Sequence, residues 1–289
     1  MLNRAASLIL LSACLAAGHL CAQPAAPAAE KLGPGLHTLS VPAEKQTGKI
    51  SHGIPVDVFI PAGNGRHGGD VLVLPGWNFP RTEWQRKTDL LVIARDKRLR
   101  LIFPEMGKSL YESRYFPETR LKWAATPGGV WVKELLIPEL QRYGLLVAGG
   151  RNFLLGLSTG GRGVALVHLS NPGLFKAGAA LSGDFDQTAM PSDRLMSSVY
   201  GPYSSFKERW SGIDNPRTMI KSWSMPLYLG HGGKDAVVPF SQTDSFHRAL
   251  REAHPKLRLI FNAPERAGHD FAYWGSELRP VIDFFLSIE

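Results

Sequence analysis

A chain of 289 residues has material for one large α/β domain or two small ones around a buried core. Hydrophobic residues at 44% and charged residues at 20% are those of an ordinary globular protein and exclude a chain too polar to fold. The net charge of +8 draws attention to anionic partners. The basic residues are scattered, however, with no dense run beyond Asp96-Lys97-Arg98-Leu99-Arg100 and no aromatic-rich recognition motif, so nucleic acid is not expected as a partner.

From the N-terminus, Arg4 precedes an apolar stretch from Ala5 to Ala17, and small residues lead on to Ala22. Residues 1–22 read as a bacterial-type secretory signal, too short and too weakly flanked to be a stable membrane span, and a periplasmic or secreted protein is expected. Both cysteines, Cys14 and Cys21, lie in this segment. Cleavage near Ala22 would leave a chain without disulfides, thiolate chemistry or a cysteine metal site. Leu11-Ser12-Ala13-Cys14 offers a second processing route that would leave Cys14 as a lipidated N-terminus.

Residues 23–35 are rich in Ala and Pro and read as a tether, with one folded domain expected over 36–289. Its first extended segments are Leu36 to Val41 and Val56 to Ile60, the latter closed by the turn Pro61-Ala62-Gly63-Asn64-Gly65. Val71-Leu72-Val73-Leu74 is a continuous apolar run of strand length. Thr82 through Lys97 is expected as a single helix, with Thr82 and Gln85 placed for a capping box. Leu101-Ile102-Phe103 forms another buried strand. Val132 to Tyr143 is helical, with Leu135, Leu136, Leu140 and Tyr143 on one face and a kink expected at Pro138. Phe153 to Leu157, Ala177 to Leu181, Leu227-Tyr228-Leu229 and Leu257 to Phe261 complete the strands, and a helix from Ser276 to Ile288 closes the chain. Buried, non-alternating strands separated by helices argue for an α/β fold: a mainly parallel twisted sheet with helices on both faces. Residues 184–223, rich in Pro, Ser, Gly and aromatics, break this rhythm and are expected to form a short cap-like insertion over the C-terminal edge of the sheet.

The chemistry is concentrated in Gly156-Leu157-Ser158-Thr159-Gly160-Gly161, which directly follows Phe153-Leu154-Leu155 and directly precedes a helical pattern carried by Val164, Val167 and Leu169. A strand ending in so tight a turn around one serine is a nucleophile elbow, holding the Ser158 hydroxyl beside a helix N-terminus. Gly-x-Ser-x-Gly is a weak signal alone in a chain with 30 glycines; the strand before it and the helix after it supply the context. A serine needs a base oriented by a carboxylate, and chain order in such a fold runs Ser, acid, His. Of the later histidines, His168, His247 and His254 read as surface or packing residues. His269, in the loop Ala267-Gly268-His269-Asp270-Phe271 after the last strand, is the expected base, because loops at that end of the sheet converge on the elbow. Asp235 is the expected orienting acid, Asp184 is the alternative, and Asp270 stands too close to its neighbour's ring.

The oxyanion needs two donors. These are expected to be the N–H of Thr159 and, from the loop Pro75-Gly76-Trp77-Asn78, the N–H of Trp77, with Asn78 as fallback. His231 is left as a residue supporting the acid or holding a metal. No partner histidine stands at ligand spacing, and neither metal nor cofactor is expected. Tyr111, Tyr115, Trp123, Tyr203 and Trp210 are candidates for shaping a substrate groove.

The run from Trp131-Val132-Lys133-Glu134-Leu135-Leu136-Ile137-Pro138-Glu139-Leu140, through the elbow, to Phe175-Lys176-Ala177-Gly178-Ala179-Ala180-Leu181-Ser182-Gly183 resembles the esterase D-type esterases. That group of α/β-hydrolases includes S-formylglutathione hydrolases, feruloyl and acetyl-xylan esterases, and mycolyltransferase relatives. Gly233-Lys234-Asp235 and Gly268-His269-Asp270-Phe271-Ala272-Tyr273-Trp274 match the places where the family carries its acid and its histidine. The resemblance implies an α/β-hydrolase catalytic domain acting as a serine carboxylic-ester hydrolase on a small-molecule or polymer-attached ester, without a cofactor. Two departures stand out: Pro75-Gly76 replaces the usual His-Gly of the oxyanion loop, and 184–223 matches no single substrate subtype. Three rival readings stay open: a prolyl-oligopeptidase-like peptidase, an envelope acyltransferase, and a non-catalytic binding module on the same scaffold.

Overall fold

The computed structural model describes residues 31–45, 53–63 and 65–289. The expected signal segment, both cysteines and the tether up to residue 30 lie outside the described residues. Eight strands form one sheet in the order β1-β2-β4-β3-β5-β6-β7-β8. They are β1 Gly35–Pro42, β2 Gly53–Ile60, β3 Gly69–Leu74, β4 Leu99–Pro104, β5 Asn152–Leu157, β6 Ala177–Leu181, β7 Leu227–Gly230 and β8 Leu259–Asn262. β1 and β2 run antiparallel at one edge; β3 to β8 are parallel. This is the expected α/β architecture, and every expected strand is present.

The central strands are apolar throughout because both of their faces are covered. Leu72, Leu74 and Leu154 enter one core, while Val71, Val73, Phe153 and Leu155 point into the other. The first core is roofed by α3 Gly128–Trp131, α4 Ile137–Arg142, α5 Thr159–Ser170 and α8 Ser241–Ala253; the second by α1 Glu83–Lys87, α2 Leu90–Lys97, α9 Phe271–Ser276 and α10 Leu278–Leu286.

Three helix expectations need correction. The helix drawn from Thr82 to Lys97 is two helices, since Thr88 is extended (φ −140°, ψ 168°). The Thr88 hydroxyl donates to the Trp84 carbonyl at 2.6 Å and accepts the Leu90 N–H at 3.3 Å, ending one helix and opening the next. Thr82 makes no cap bond, because its own backbone is already helical. The helix expected from Val132 to Tyr143 is not one regular α-helix: a π-turn, Val132–Leu136, comes first, and Pro138 stands at the start of α4, where its missing N–H costs least. The closing helix, expected over Ser276 to Ile288, spans Leu278–Leu286, with the short α9 ahead of it and Glu277 at the junction, and Pro280 sits in the first turn of α10, where its missing N–H costs little. The buried Glu277 carboxylate at the junction accepts the Tyr228 hydroxyl and the Asn262 amide, both at 2.7 Å.

Between β6 and β7 the sheet is overlaid by α6 Arg194–Tyr200 and α7 Lys207–Gly212, with short 3₁₀ turns at Gln187–Ala189 and Pro216–Ser222. Leu110, Met196, Val199, Tyr200 and Trp210 give this segment a small core of its own. A buried charge fastens it to the sheet. Arg162 on α5 is fully buried and donates to Asp184 at 3.1 Å, to the Tyr200 hydroxyl at 3.3 Å, to Gln187 and to the Asp214 carbonyl. The Asp214 carboxylate in turn accepts the Ser113 N–H at 2.9 Å.

Burial outweighs the attraction of Arg162 and pushes the Asp184 carboxyl up to about 6. Arg162→Met would leave two buried carboxyl groups without their counter-charge. A loss of about 3–5 kcal/mol in unfolding free energy is expected by urea denaturation. A carboxyl raised on folding contributes stability that is lost as pH rises through its folded value, so the deficit should be larger at pH 8 than at pH 5.

Candidate active site

The elbow is built by crowding. Ser158 stands between β5 and α5 with φ 54° and ψ −126°, a conformation that L-residues rarely adopt. It survives because its surroundings leave no alternative. A Cβ on Gly156 would fall 2.1 Å from the carbonyl oxygen of Gly160, and one on Gly160 would fall 2.3 Å from that of Leu74. The Ser158 N–H donates to Leu181 of β6 at 2.8 Å, and its carbonyl accepts the N–H of Gly161 at 2.8 Å.

His269 lies in the loop between β8 and α9, and its Nδ1 is 2.6 Å from Oδ2 of Asp235. A carboxylate is acceptor only, so Nδ1 carries the proton and Nε2 keeps its lone pair. Trp274 of α9 stands edge-on to the imidazole, at 5.0 Å and 83°, and is itself held by a 3.1 Å bond from its indole N–H to the Ser182 hydroxyl. Asp235 follows β7. Burial opposes its ionisation, but hydrogen bonds from His231 and His269 and from the N–H groups of Val238 and Val237 hold its carboxyl well below the usual range. Asp184, the alternative acid, faces Arg162 instead. Asp270 caps α9 by accepting the Tyr273 N–H at 2.9 Å and is turned away from its neighbour's ring.

Ser158, Thr159, His269 and Trp77 all line one cavity of about 350 Å³. Neither the Thr159 nor the Trp77 backbone N–H donates to another group among the described residues. The fallback donor fails: the Asn78 N–H is taken by the Gly107 carbonyl at 2.7 Å. Tyr111 steadies the same loop, its hydroxyl donating to the Pro75 carbonyl at 2.9 Å.

The rest of the wall is mostly apolar, with the carboxylates of Asp184 and Asp193 beside it, and corrects the expected groove. Phe79, Leu110 and Val238 come from the sheet side, and Met190, Leu195 and Met196 from the segment between β6 and β7. None of the five aromatics proposed from sequence lines this cavity. Tyr111 and Trp210 are buried in packing, Trp123 stacks edge-on against Trp131 at 5.2 Å, Tyr203 packs on Trp210 at 5.4 Å, and Tyr115 bonds the Ala124 carbonyl at 2.9 Å.

His168 is a packing residue, tilted against Trp223 at 4.8 Å, and burial lowers it to about 4. The residues missed in sequence are those that act through others. Trp274 was legible only as part of a family match, and Arg162, four residues after Ser158 and so one helical turn along, could have been suspected from a charge on an otherwise apolar helix. Among the described residues no cluster of three or more His, Cys, Asp or Glu could hold a metal ion, and no helix is long and apolar enough to cross a membrane.

Solved structures share this architecture. The chain matches the fluorophosphonate-binding serine hydrolase F of Staphylococcus aureus with a TM-score of 0.69 and 18% identity, over 88% of this chain and 100% of that one. It matches an S-formylglutathione hydrolase of Agrobacterium tumefaciens with a TM-score of 0.66 and 15% identity, over 88% and 94% of the two chains. A puromycin-hydrolyzing peptidase of Mycobacterium tuberculosis aligns with a TM-score of 0.63 and 16% identity, over 87% of this chain but 40% of that one. At such identities the likeness is one of fold, the α/β-hydrolase fold. A search of curated proteins finds no match. At the level of sequence families, residues 139–287 match the prolyl oligopeptidase family. That span is more than half of the chain and contains Ser158, Asp235 and His269, and the protein therefore belongs to the prolyl oligopeptidase family.

Proposed function

We propose that this protein is a serine hydrolase cleaving carboxylic esters that carry an uncharged, apolar acyl group. The observation that carries the reading is one cavity shared by a strained serine and a histidine whose far nitrogen is bound to a buried carboxylate. In the proposed cycle Ser158 Oγ attacks the ester carbonyl while Nε2 of His269 takes its proton. Asp235, kept ionised, stabilises the imidazolium that forms. The unpaired N–H groups of Thr159 and Trp77 receive the oxyanion. Collapse of the tetrahedral intermediate breaks the bond to the leaving oxygen, and His269 returns the proton to the departing alcohol. Water, activated by the same base, then releases the acid.

The wall supports the substrate class. Two methionines, Met190 and Met196, are flexible fillers that adapt to varied apolar groups. The charges at the cavity are the carboxylates of Asp184, paired to Arg162, and Asp193, which caps α6. An anionic acyl group would meet repulsion there. Export to the periplasm or beyond is part of the proposal and rests on residues 1–22 of the sequence. Peptide hydrolysis is the second reading, favoured by the family match. Esters are preferred because two of the structures this chain matches over nearly their whole length are a serine hydrolase and an S-formylglutathione hydrolase, whereas it spans 40% of the peptidase.

A panel of p-nitrophenyl esters from acetyl to octanoyl, with a succinyl ester and aminoacyl p-nitroanilides alongside, tests the assignment. Butanoyl to octanoyl esters should be turned over best and the succinyl ester poorly. Ser158→Ala should lower kcat by at least about 10³-fold. Anilide turnover exceeding that of the esters would replace this reading by the peptidase one, and full activity in Ser158→Ala would remove the nucleophile.

The acid is tested separately on the best ester. Asp235→Asn is expected to cost about 10³–10⁴-fold in kcat, through the wrong tautomer of His269 and the lost charge. Asp184→Asn should cost less than about tenfold. The reverse order would transfer the role to Asp184.

A further inference from the structure

A second histidine, beyond the one that Asp235 orients, stands beside this carboxylate. Oδ1 accepts the N–H groups of Val237 and Val238, both at 2.8 Å, and Oδ2 accepts Nδ1 of His269 at 2.6 Å. The same Oδ2 lies 3.2 Å from Nε2 of His231, whose side chain is fully buried. Nε2 of His231 also faces the Val238 carbonyl at 3.0 Å. Both neighbours are acceptors only, so the proton of this imidazole stands on Nε2, donated to the Val238 carbonyl with Oδ2 of Asp235 alongside. At the opposite nitrogen the Thr243 hydroxyl, 2.7 Å from Nδ1, can donate and fix that tautomer. Phe240 closes the ring's flank edge-on at 5.7 Å. The remaining titratable neighbour of this carboxylate is Tyr273 on α9. Burial, and then the charges of Glu277, Tyr228 and Asp235, push its phenol far above the usual range, so it stays protonated.

We infer that His231 is a positioning residue of the proposed active site: it holds Oδ2 of Asp235 toward His269 and takes up part of its negative charge. The inference rests on the reading of Ser158, His269 and Asp235 as the reacting set. Three hydrogen bonds and the adjacent Nε2 of His231 surround the carboxylate and leave it little room to rotate. Without the His231 donor, two things change. The carboxylate gains freedom to turn, which lowers kcat by misorienting His269. Its charge also falls more fully on His269, whose imidazolium is then held more tightly, and the acid limb of the pH profile moves to higher pH. A side chain that only filled space would produce neither effect together with an unchanged KM.

The test compares His231→Leu with His231→Gln, whose amide nitrogen can take the place of Nε2, on one p-nitrophenyl ester between pH 5 and pH 9. The Leu variant should lose about tenfold in kcat with KM within about twofold, and the acid limb of kcat/KM should rise by about half a pH unit. The Gln variant should recover kcat to within about threefold and return the limb to the wild-type position. Thermal melts report whether each variant folds. Should His231→Leu not fold, Thr243→Val, which frees the tautomer, carries the test and should move the limb in the same direction. Limbs that stay in place while both His231 variants lose kcat equally would overturn the inference. Ser158→Ala, measured in parallel, separates the two levels. Full activity there overturns the reacting set and this inference with it, whereas a dead Ser158→Ala with unmoved limbs overturns the role of His231 alone.

Discussion

The contact on which the rest of the site depends is the closeness of two pieces of backbone at the elbow. Gly160 lies so near the Leu74 carbonyl, and Gly156 so near that of Gly160, that a single Cβ at either position would overlap an oxygen. This crowding forces Ser158 into a conformation costing of order 1–3 kcal/mol, which the surrounding packing must offset. Helix α5 supplies that packing, since Thr159 through His168 are all buried. The same closeness fixes two other parts. It sets the end of β3, and with it the loop bearing Trp77, beside the first N–H of α5. Through Ser158 N–H to Leu181 it also sets the end of β6, where Ser182 holds the indole of Trp274 against His269.

Two buried carboxylates stand near this elbow, and their surroundings drive them apart. Asp184 exchanges water for one guanidinium that it shares with other acceptors, and burial pushes it up to about 6. Asp235 is also taken from water, yet three hydrogen bonds and the nearby His231 hold its proton off. An acid that must stabilise an imidazolium has to be ionised at neutral pH, so the second environment suits the role and the first does not. Asp184 has a different task, closing the charge that anchors the overlying segment.

Much of this was legible in the sequence, for identifiable reasons. Strands buried on both faces read as continuous apolar runs, so β3, β5 and β6 stood out, and the glycines of the elbow had to be there for the turn to close. Helix ends were less legible because they turn on single side chains. Thr88, acting at once as terminator and cap, carries no pattern that distinguishes it from a residue inside one long helix. The cavity wall was misread for a related reason. Trp123 and Trp210 are candidates for a substrate groove by residue type alone, but each has a ring or a carbonyl to pack on. The residues that do line the cavity, such as Met190 and Leu195, are ordinary in composition and gain meaning only from where the insertion folds.

The two halves of the site are therefore held by different forces. Backbone crowding fixes Ser158 and the loop bearing Trp77, and hydrogen bonds to a buried carboxylate fix His269; neither depends on which side chains line the outer wall. That wall is made by Met190, Leu195 and Met196, on a segment whose attachment runs through Arg162, one helical turn beyond Ser158. Substitutions in α6 and the turn before it can thus reshape the cavity wall without disturbing Ser158 and His269. The anchor allows no such freedom. Arg162 shares a rigid helix with the serine and bonds four residues of the insertion, so loosening it would move the wall relative to the nucleophile and raise the energy of the fold at the same time.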